Sequence, residues 1–378
     1  MHESRYRRAG RFAGAALLCA ALASTVLAEP WTFIAVGDSR GSDNGVNLEI
    51  LSELASEIVS QAVDLVVFPG DLVTGGVDQA ALEGQLLTWR DAMQPVYDAG
   101  IAVYPVRGNH DLGDPAGTTA WNNVFSGPYA LPQDGPAGEE NLTYAVVHEN
   151  ALFLGLDEYV TRHRVNQTWI NAQLASSSSP HLFVFGHEPA FKVEHTDCLD
   201  DYPVRRNTFW ASLANAGGRT YFCGHDHFYD HADVDDDGDP NNDVHQYVVG
   251  TAGAPPYDWS GNYDGNNDGY TVENIYHAMD YGYVLGEIDG LNVTLTWMQR
   301  VGANAFEARE QWSYTAVAVC FGDLSGDGRV GLPDLAILLS NYGLTGGATY
   351  EQGDLDGDAD VDLTDLATLL GRYGTVCW

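Results

Sequence analysis

The chain has 378 residues, 45% hydrophobic and 11% aromatic, enough for one large packed domain with a small second one and too apolar for a disordered chain. Against 17 basic residues stand 53 acidic ones, for a formal net charge of −36, and Lys192 is the sole lysine. Such a surface repels polyanions, which argues against a nucleic-acid polymer or an anionic membrane as partner.

The first element is a targeting pattern. Arg5, Arg7, Arg8 and Arg11 precede an apolar run over 12–27, and Val26-Leu27-Ala28 suits a cleavage site. Residues 1–28 read as a signal peptide, which implies a secreted or cell-surface protein. Removing its four arginines and one glutamate moves the net charge from −36 to −39. Export permits disulfides among the remaining Cys198, Cys223, Cys320 and Cys377; the expected pairs are Cys198 with Cys223 and Cys320 with Cys377.

From Trp31 to about Val301, apolar runs alternate with amphipathic stretches, an α/β signal. Strands are predicted over 31–36, 63–68, 101–106, 181–185, 219–223, 246–251 and within 281–299, with a hairpin over 142–156 around Glu149-Asn150. Helices are predicted over 48–59, 82–97, 165–174 and 210–216 from their apolar spacing. Residues 230–243 and 262–269, rich in Asp, Asn and Gly, read as loops. Asp233, Asp235, Asp237 and Asp239 alternate as calcium ligands do, but the twelfth loop position is Val244, so a solvated acidic loop is the favoured reading.

Five short motifs follow the strands in order: Gly37-Asp38-Ser39-Arg40, Gly70-Asp71, Gly108-Asn109-His110-Asp111, Gly186-His187 and Gly224-His225-Asp226-His227. Polar residues just past strand ends collect at one edge of an open sheet, where sites form. Mixed imidazole and oxygen donors suit Zn, Fe, Mn or Ni better than Ca. Hydrolysis of a phosphate ester needs a nucleophile at neutral pH and relief of phosphoryl charge, and two divalent metals supply both.

The five motifs together resemble those of calcineurin-like metallophosphoesterases, nearest to the catalytic domain of purple acid phosphatases. The resemblance implies a two-sheet sandwich flanked by helices over 29–312. It implies that Asp38 and His227 hold a first metal, that Asp71 bridges, and that Asn109, His187 and His225 hold a second. A metal-bound hydroxide would attack phosphorus, with His110 catalytic and Asp111 orienting it. Two positions depart from the pattern. Arg40 stands where the family motif carries a histidine, and Thr74 where purple acid phosphatases carry a tyrosine. Arg40 is suited to a bidentate phosphate contact. His195, His245, His277, Tyr257 and Trp259 are further candidates near the site.

After a linker over 313–319, residues 320–378 contain a repeat. The segments 322–343 and 353–374 match at 14 of 22 positions. Asp323, Ser325, Asp327, Arg329 and Asp334 take positions 1, 3, 5, 7 and 12 of a calcium loop, as do Asp354, Asp356, Asp358, Asp360 and Asp365. Leu335, Leu338, Leu339 and Tyr342 then form an apolar helix face, as do Leu366, Leu369, Leu370 and Tyr373. This resembles a type I dockerin module, a small all-α domain, and implies bound Ca2+ and a cohesin-like or cell-surface partner. Ala359 occupies the sharp-turn position normally held by glycine, and Gly331 offers no side chain at position 9. The expected function is secreted hydrolysis of small phosphate esters. The alternative is a catalytically weak domain serving calcium-dependent docking.

Overall fold

A computed structural model describes residues 29–76, 78–113, 117–177, 179–316 and 321–375. Two mixed sheets face each other. The first contains β1 (Trp31–Ala35), β3 (Leu65–Pro69), β4 (Ala102–Val106), β12 (Gly282–Asp289), β13 (Asn292–Gly302) and β14 (Ala305–Thr315), in the order β14-β13-β12-β1-β3-β4. The second contains β5 (Tyr144–His148), β6 (Ala151–Gly155), β7 (His181–Phe185), β8 (Thr220–Cys223), β9 (Tyr229–Asp235), β10 (His245–Val249) and β11 (Thr271–Ala278), in the order β11-β9-β10-β8-β7-β6-β5. β1, β3 and β4 run parallel in one sheet, and β6, β7, β8 and β10 in the other. A short β2 (Arg40–Asp43) follows the first motif.

Aromatic rings fill the space between the sheets. Phe33 meets Phe183 at 4.8 Å between centroids, and Tyr229 stacks on Trp297 at 4.2 Å. The outer faces are covered by α1 (Leu48–Gln61), α2 (Gln79–Ala92), α3 (Gln94–Asp98) and α4 (Gly117–Val124) on one side, and by α5 (Gln167–Ser176) and α6 (Pro203–Asn215) on the other. The helix expected over 82–97 is two, broken at Met93 ahead of Pro95, whose ring cannot continue the hydrogen-bond ladder.

Three expectations are corrected. β9 runs through Tyr229–Asp235, so the acidic stretch expected to be loop from 230 begins as a buried strand. β14 continues to Thr315, and the Ala316 amide donates to the Leu291 carbonyl at 2.7 Å, so the first residues of the expected linker belong to the sheet. Cys198 and Cys223 are free, buried thiols rather than a disulfide. Cys223 sits within β8 with its Sγ on the Tyr247 carbonyl, while Cys198 starts the short turn 199–201; burial pushes both thiols well up. The pair Cys320 and Cys377 and the signal peptide lie outside the described residues.

The C-terminal segment forms two loop–helix units, ending in α7 (Leu332–Asn341) and α8 (Leu363–Arg372), around Val330, Leu338, Leu355, Val361 and Leu369. Asp334 accepts the amides of Ser325 and Gly331, and Asp365 those of Leu355, Asp356 and Asp362, so each loop closes on its twelfth residue. Ala359 adopts φ 69°, the left-handed conformation that glycine would take without strain. The second unit leans on the large domain: Asn171 of α5 donates to the Asp356 carbonyl, and Arg372 of α8 to the carbonyls of Leu174 and Ser177.

Candidate active site at the strand ends

Each parallel strand delivers its following motif to the same edge of the sandwich. The chain turns sharply there, and Asp38, Asp71 and His225 adopt positive φ of 61°, 50° and 72°. Non-glycine residues hold that conformation only where the surroundings enforce it. Glycines that open the motifs are set by close approach. A Cβ on Gly108 would lie 2.2 Å from Asp71 Oδ1, and one on Gly224 2.0 Å from Asp38 Oδ2.

Around Asp71 the side chains divide into two groups. On one side, His187 Nδ1 donates to the Pro69 carbonyl at 2.9 Å, which leaves Nε2 as a lone pair. That lone pair faces Asn109 Oδ1 at 3.2 Å and Asp71 Oδ1 at 3.5 Å. Burial, despite Asp71, holds the imidazole down to about 4, so it is neutral at pH 7. Three acceptors facing one another repel unless a cation lies between them, so this donor set fits a divalent metal. His225 is beside it, its ring 5.0 Å from that of His187, and its buried Nε2 has no hydrogen-bond partner, with Asp197 Oδ1 at 3.4 Å.

On the other side, Asp38, Asp71 and His227 bring ligand atoms within 4.8 Å of one another, and His227 Nε2 is 3.6 Å from Asp38 Oδ1. Here Arg40 intervenes. Its Nε and Nη2 donate to His227 Nε2 at 3.2 and 3.1 Å, and its Nη1 stands 2.8 Å from His110 Nε2. Burial, with Arg40 adding to it, lowers His227 to about 3. Burial, together with Asp71, raises Asp38 well above the carboxylate range. Burial also opposes ionisation of Asp71, yet its carboxyl lies below its ordinary value, with the His110 amide donating to Oδ1 at 3.0 Å.

His110 projects into this centre with Nδ1 2.8 Å from the Thr74 carbonyl. That carbonyl, and not Asp111, orients the ring. The fully buried Asp111 instead accepts the amides of Gly108, Leu72 and Val73 at 2.8, 3.2 and 3.2 Å, pinning the turns that carry Asp71 and Asn109. Burial and neighbouring Asp71 push its carboxyl up to about 8. An open cleft beside the centre is lined by Arg40, Thr74, His227, Pro255 and Tyr257.

Among the other candidates, His195 and Tyr257 belong here. Both bond Asp226 between the two site histidines, and the His195 ring is 4.5 Å from that of His225. His277 and Trp259 pack one layer back against Phe228. His245 does not reach the site: it starts β10, whose far end approaches the centre, and it pairs with His231 at 2.9 Å. Glu158 was missed. Its carboxylate accepts the amides of His187 and Glu188 and the Tyr221 hydroxyl, so it holds the fourth motif in place. The signal was present in Asp157-Glu158 just past the end of β6, where Leu156 and not a glycine stands immediately before the pair.

A family model, Calcineurin-like phosphoesterase, matches residues 32–229, over half the chain. The chain belongs to this family. Membership of this dimetal phosphoesterase family implies two divalent metals. The chain is 27% identical over 236 residues to tartrate-resistant acid phosphatase type 5 of Rattus norvegicus, covering 55% of this chain and 68% of the relative. The human counterpart is 25% identical over 221 residues. Its fold is similar to that of the purple acid phosphatase PPD1 of yellow lupin, with a TM-score of 0.60 and 16% identity over 76% of this chain; the chain spans 54% of that enzyme's length. It is also similar to GAP50, the anchor in the inner membrane complex of Plasmodium, with a TM-score of 0.53 and 14% identity over 76% of this chain and 89% of that one. Among the described residues no helix is long and apolar enough to cross a membrane.

Proposed function

We propose that this phosphoesterase is exported and hydrolyses small phosphate esters at a metal centre on the strand ends. The observation that carries the reading is the set of mutually facing acceptors, His187 Nε2, Asn109 Oδ1 and Asp71 Oδ1, beside His110. A divalent metal held there would supply Lewis acidity to the phosphoryl group and an activated water. The chain's own groups do the rest. Asn109, His187, His225 and Asp71 fix the ion's place. His110, its Nδ1 fixed by Thr74, stands at the cleft with Nε2 on Arg40 Nη1, and in its doubly protonated form is the group placed to hand a proton to the leaving oxygen. Arg40 and the cleft edge at Tyr257 orient the ester, and the acidic surface disfavours polymeric substrates.

The C-terminal module is read as a calcium-folded, dockerin-like docking unit. Its paired outward leucines, Leu332 at 71% and Leu363 at 66% exposure, suit an apolar contact with a cohesin-like or cell-surface partner. A chromogenic phosphate-ester panel with Mn, Zn, Fe or Ni tests the enzyme reading, which expects turnover with at least one metal. Arg40 in the metal-ligand region and the likeness to an anchoring protein favour a second reading, a docking protein with a silent site. Absence of turnover with every metal, while calcium still folds the C-terminal module, would favour that second reading.

A further inference from the structure

We propose that the guanidinium of Arg40 takes the place of the first metal, so that this chain binds a single divalent ion, on the His187 side of Asp71. This rests on the metallophosphoesterase reading and refines it.

The two imidazoles flanking Asp71 are held alike by carbonyls but face opposite things. His227 Nδ1 is 3.1 Å from the Pro255 carbonyl, as His187 Nδ1 is from that of Pro69 at 2.9 Å, so both present Nε2 lone pairs to the centre. The His187 lone pair meets oxygens, with no donor among them. The His227 lone pair meets two N–H groups of Arg40. A third N–H of the same guanidinium reaches His110 Nε2, and Arg40 Nε lies 3.8 Å from Asp71 Oδ2. One planar cation thus satisfies the nitrogen that a first metal would need at about 2.0–2.1 Å. It also supplies positive charge next to the shared carboxylate, and a divalent ion placed beside it would meet strong repulsion in a buried setting.

Arg40 is not free to drift from this place by backbone movement. Thr74 Oγ1 bonds the Gly41 carbonyl at 2.9 Å, the Gly41 amide bonds the Gly45 carbonyl at 3.1 Å, and the Asn47 amide bonds the Ser39 carbonyl at 2.8 Å. The first site therefore does not fit a metal as the chain stands, whereas the second does.

The test is metal counting on the full chain. Metal-free protein is loaded with Mn2+ in excess Ca2+, which keeps the C-terminal loops occupied by calcium, and the manganese retained by Asp71→Asn is subtracted. The expected result is one Mn2+ per wild-type chain with the six-line electron paramagnetic resonance spectrum of an isolated ion. Arg40→His, which restores the imidazole of the family motif, should bind two and show the spectrum of an exchange-coupled pair. Two ions and a coupled spectrum in the wild type would overturn the proposal while leaving the phosphoesterase reading intact. A count of one in Arg40→His would also overturn it. No specific manganese in either protein, with no ester turnover, would sink both.

Discussion

Asp71 at the strand ends and Asp356 in the C-terminal loops are both aspartates in clusters of like charge, and the chain treats them differently. At the strand ends every carboxylate has fixed partners. Asp71 accepts the His110 amide, Asp38 lies on the His225 amide, and Asp111 takes three amides. In the second loop the carboxylates also accept amides, Asp354 those of Gly357 and Ala359 and Asp365 three, but Asp354, Asp356 and Asp365 bring oxygens within 4.8 Å of one another with no imidazole in the group, whereas His227 stands with Asp38 and Asp71. Burial, with Asp365 and Asp358 beside it, raises Asp356 to about 7, and burial raises Asp354 to about 6. A site framed by its neighbours before any ligand arrives is preorganised; a loop of mutually repelling groups waits for its ion to complete it.

This contrast is open to direct attack, beginning where the effect is largest. Asp71→Asn should lower ester turnover by about 10³-fold or more, since several kcal/mol of charge stabilisation depend on the metal it helps hold. Metal analysis and a chromogenic assay check this together. His110→Ala should lose about 10²–10⁴-fold in turnover with metal content unchanged. Full activity in that variant would remove His110 from the chemistry. Asp111→Ala should weaken metal affinity by about 10–100-fold, because it frees the turns beneath Asp71 and Asn109 rather than a ligand. Calcium-selective chelation should unfold the C-terminal module, seen as lost helical signal and faster proteolysis after 316, yet leave turnover within about twofold of its starting value. A parallel collapse of activity would show that the strand-end site is not framed independently of the loops.

The smallest effect concerns Glu53, a framed carboxylate on α1 that belongs to neither site. Arg300 donates to it at 2.7 and 3.0 Å and holds its carboxyl below the ordinary value. A depressed acid contributes stability above its unfolded pKa and loses it as pH falls through the folded one. Glu53→Gln should therefore cost about 1 kcal/mol or less near neutrality, a drop of roughly 2 °C in melting temperature, and the gap should close in acid.

Much of this arrangement was legible in the residues. Apolar strands ending in glycine and a ligand-type side chain gave the parallel strands and the edge where they meet. The close approaches at Gly108 and Gly224 explain why those signals were glycines. Part of what escaped shares a cause, polar residues buried against polar or aromatic partners. β9 reads as loop because Asp230 and His231 lie in it, yet Asp230 bonds Tyr263 and Asn274, and His231 bonds Glu310 and His245. α6 begins at Pro203, well before the apolar pattern, because buried Arg206 lies over the Phe191 ring and bonds Asp200. Arg40 was legible as a departure from a motif; its grip on two histidines depended on tertiary placement.

The lean of the second loop–helix unit against α5 carries a mechanical meaning. Where Asn171 and Arg372 tie the two bodies, a tail that could have swung on a flexible strap becomes a bracket. A surface that took hold of Leu332 and Leu363 would then present the catalytic mouth at one set angle, like a tool bolted to its bench rather than hung from a cord.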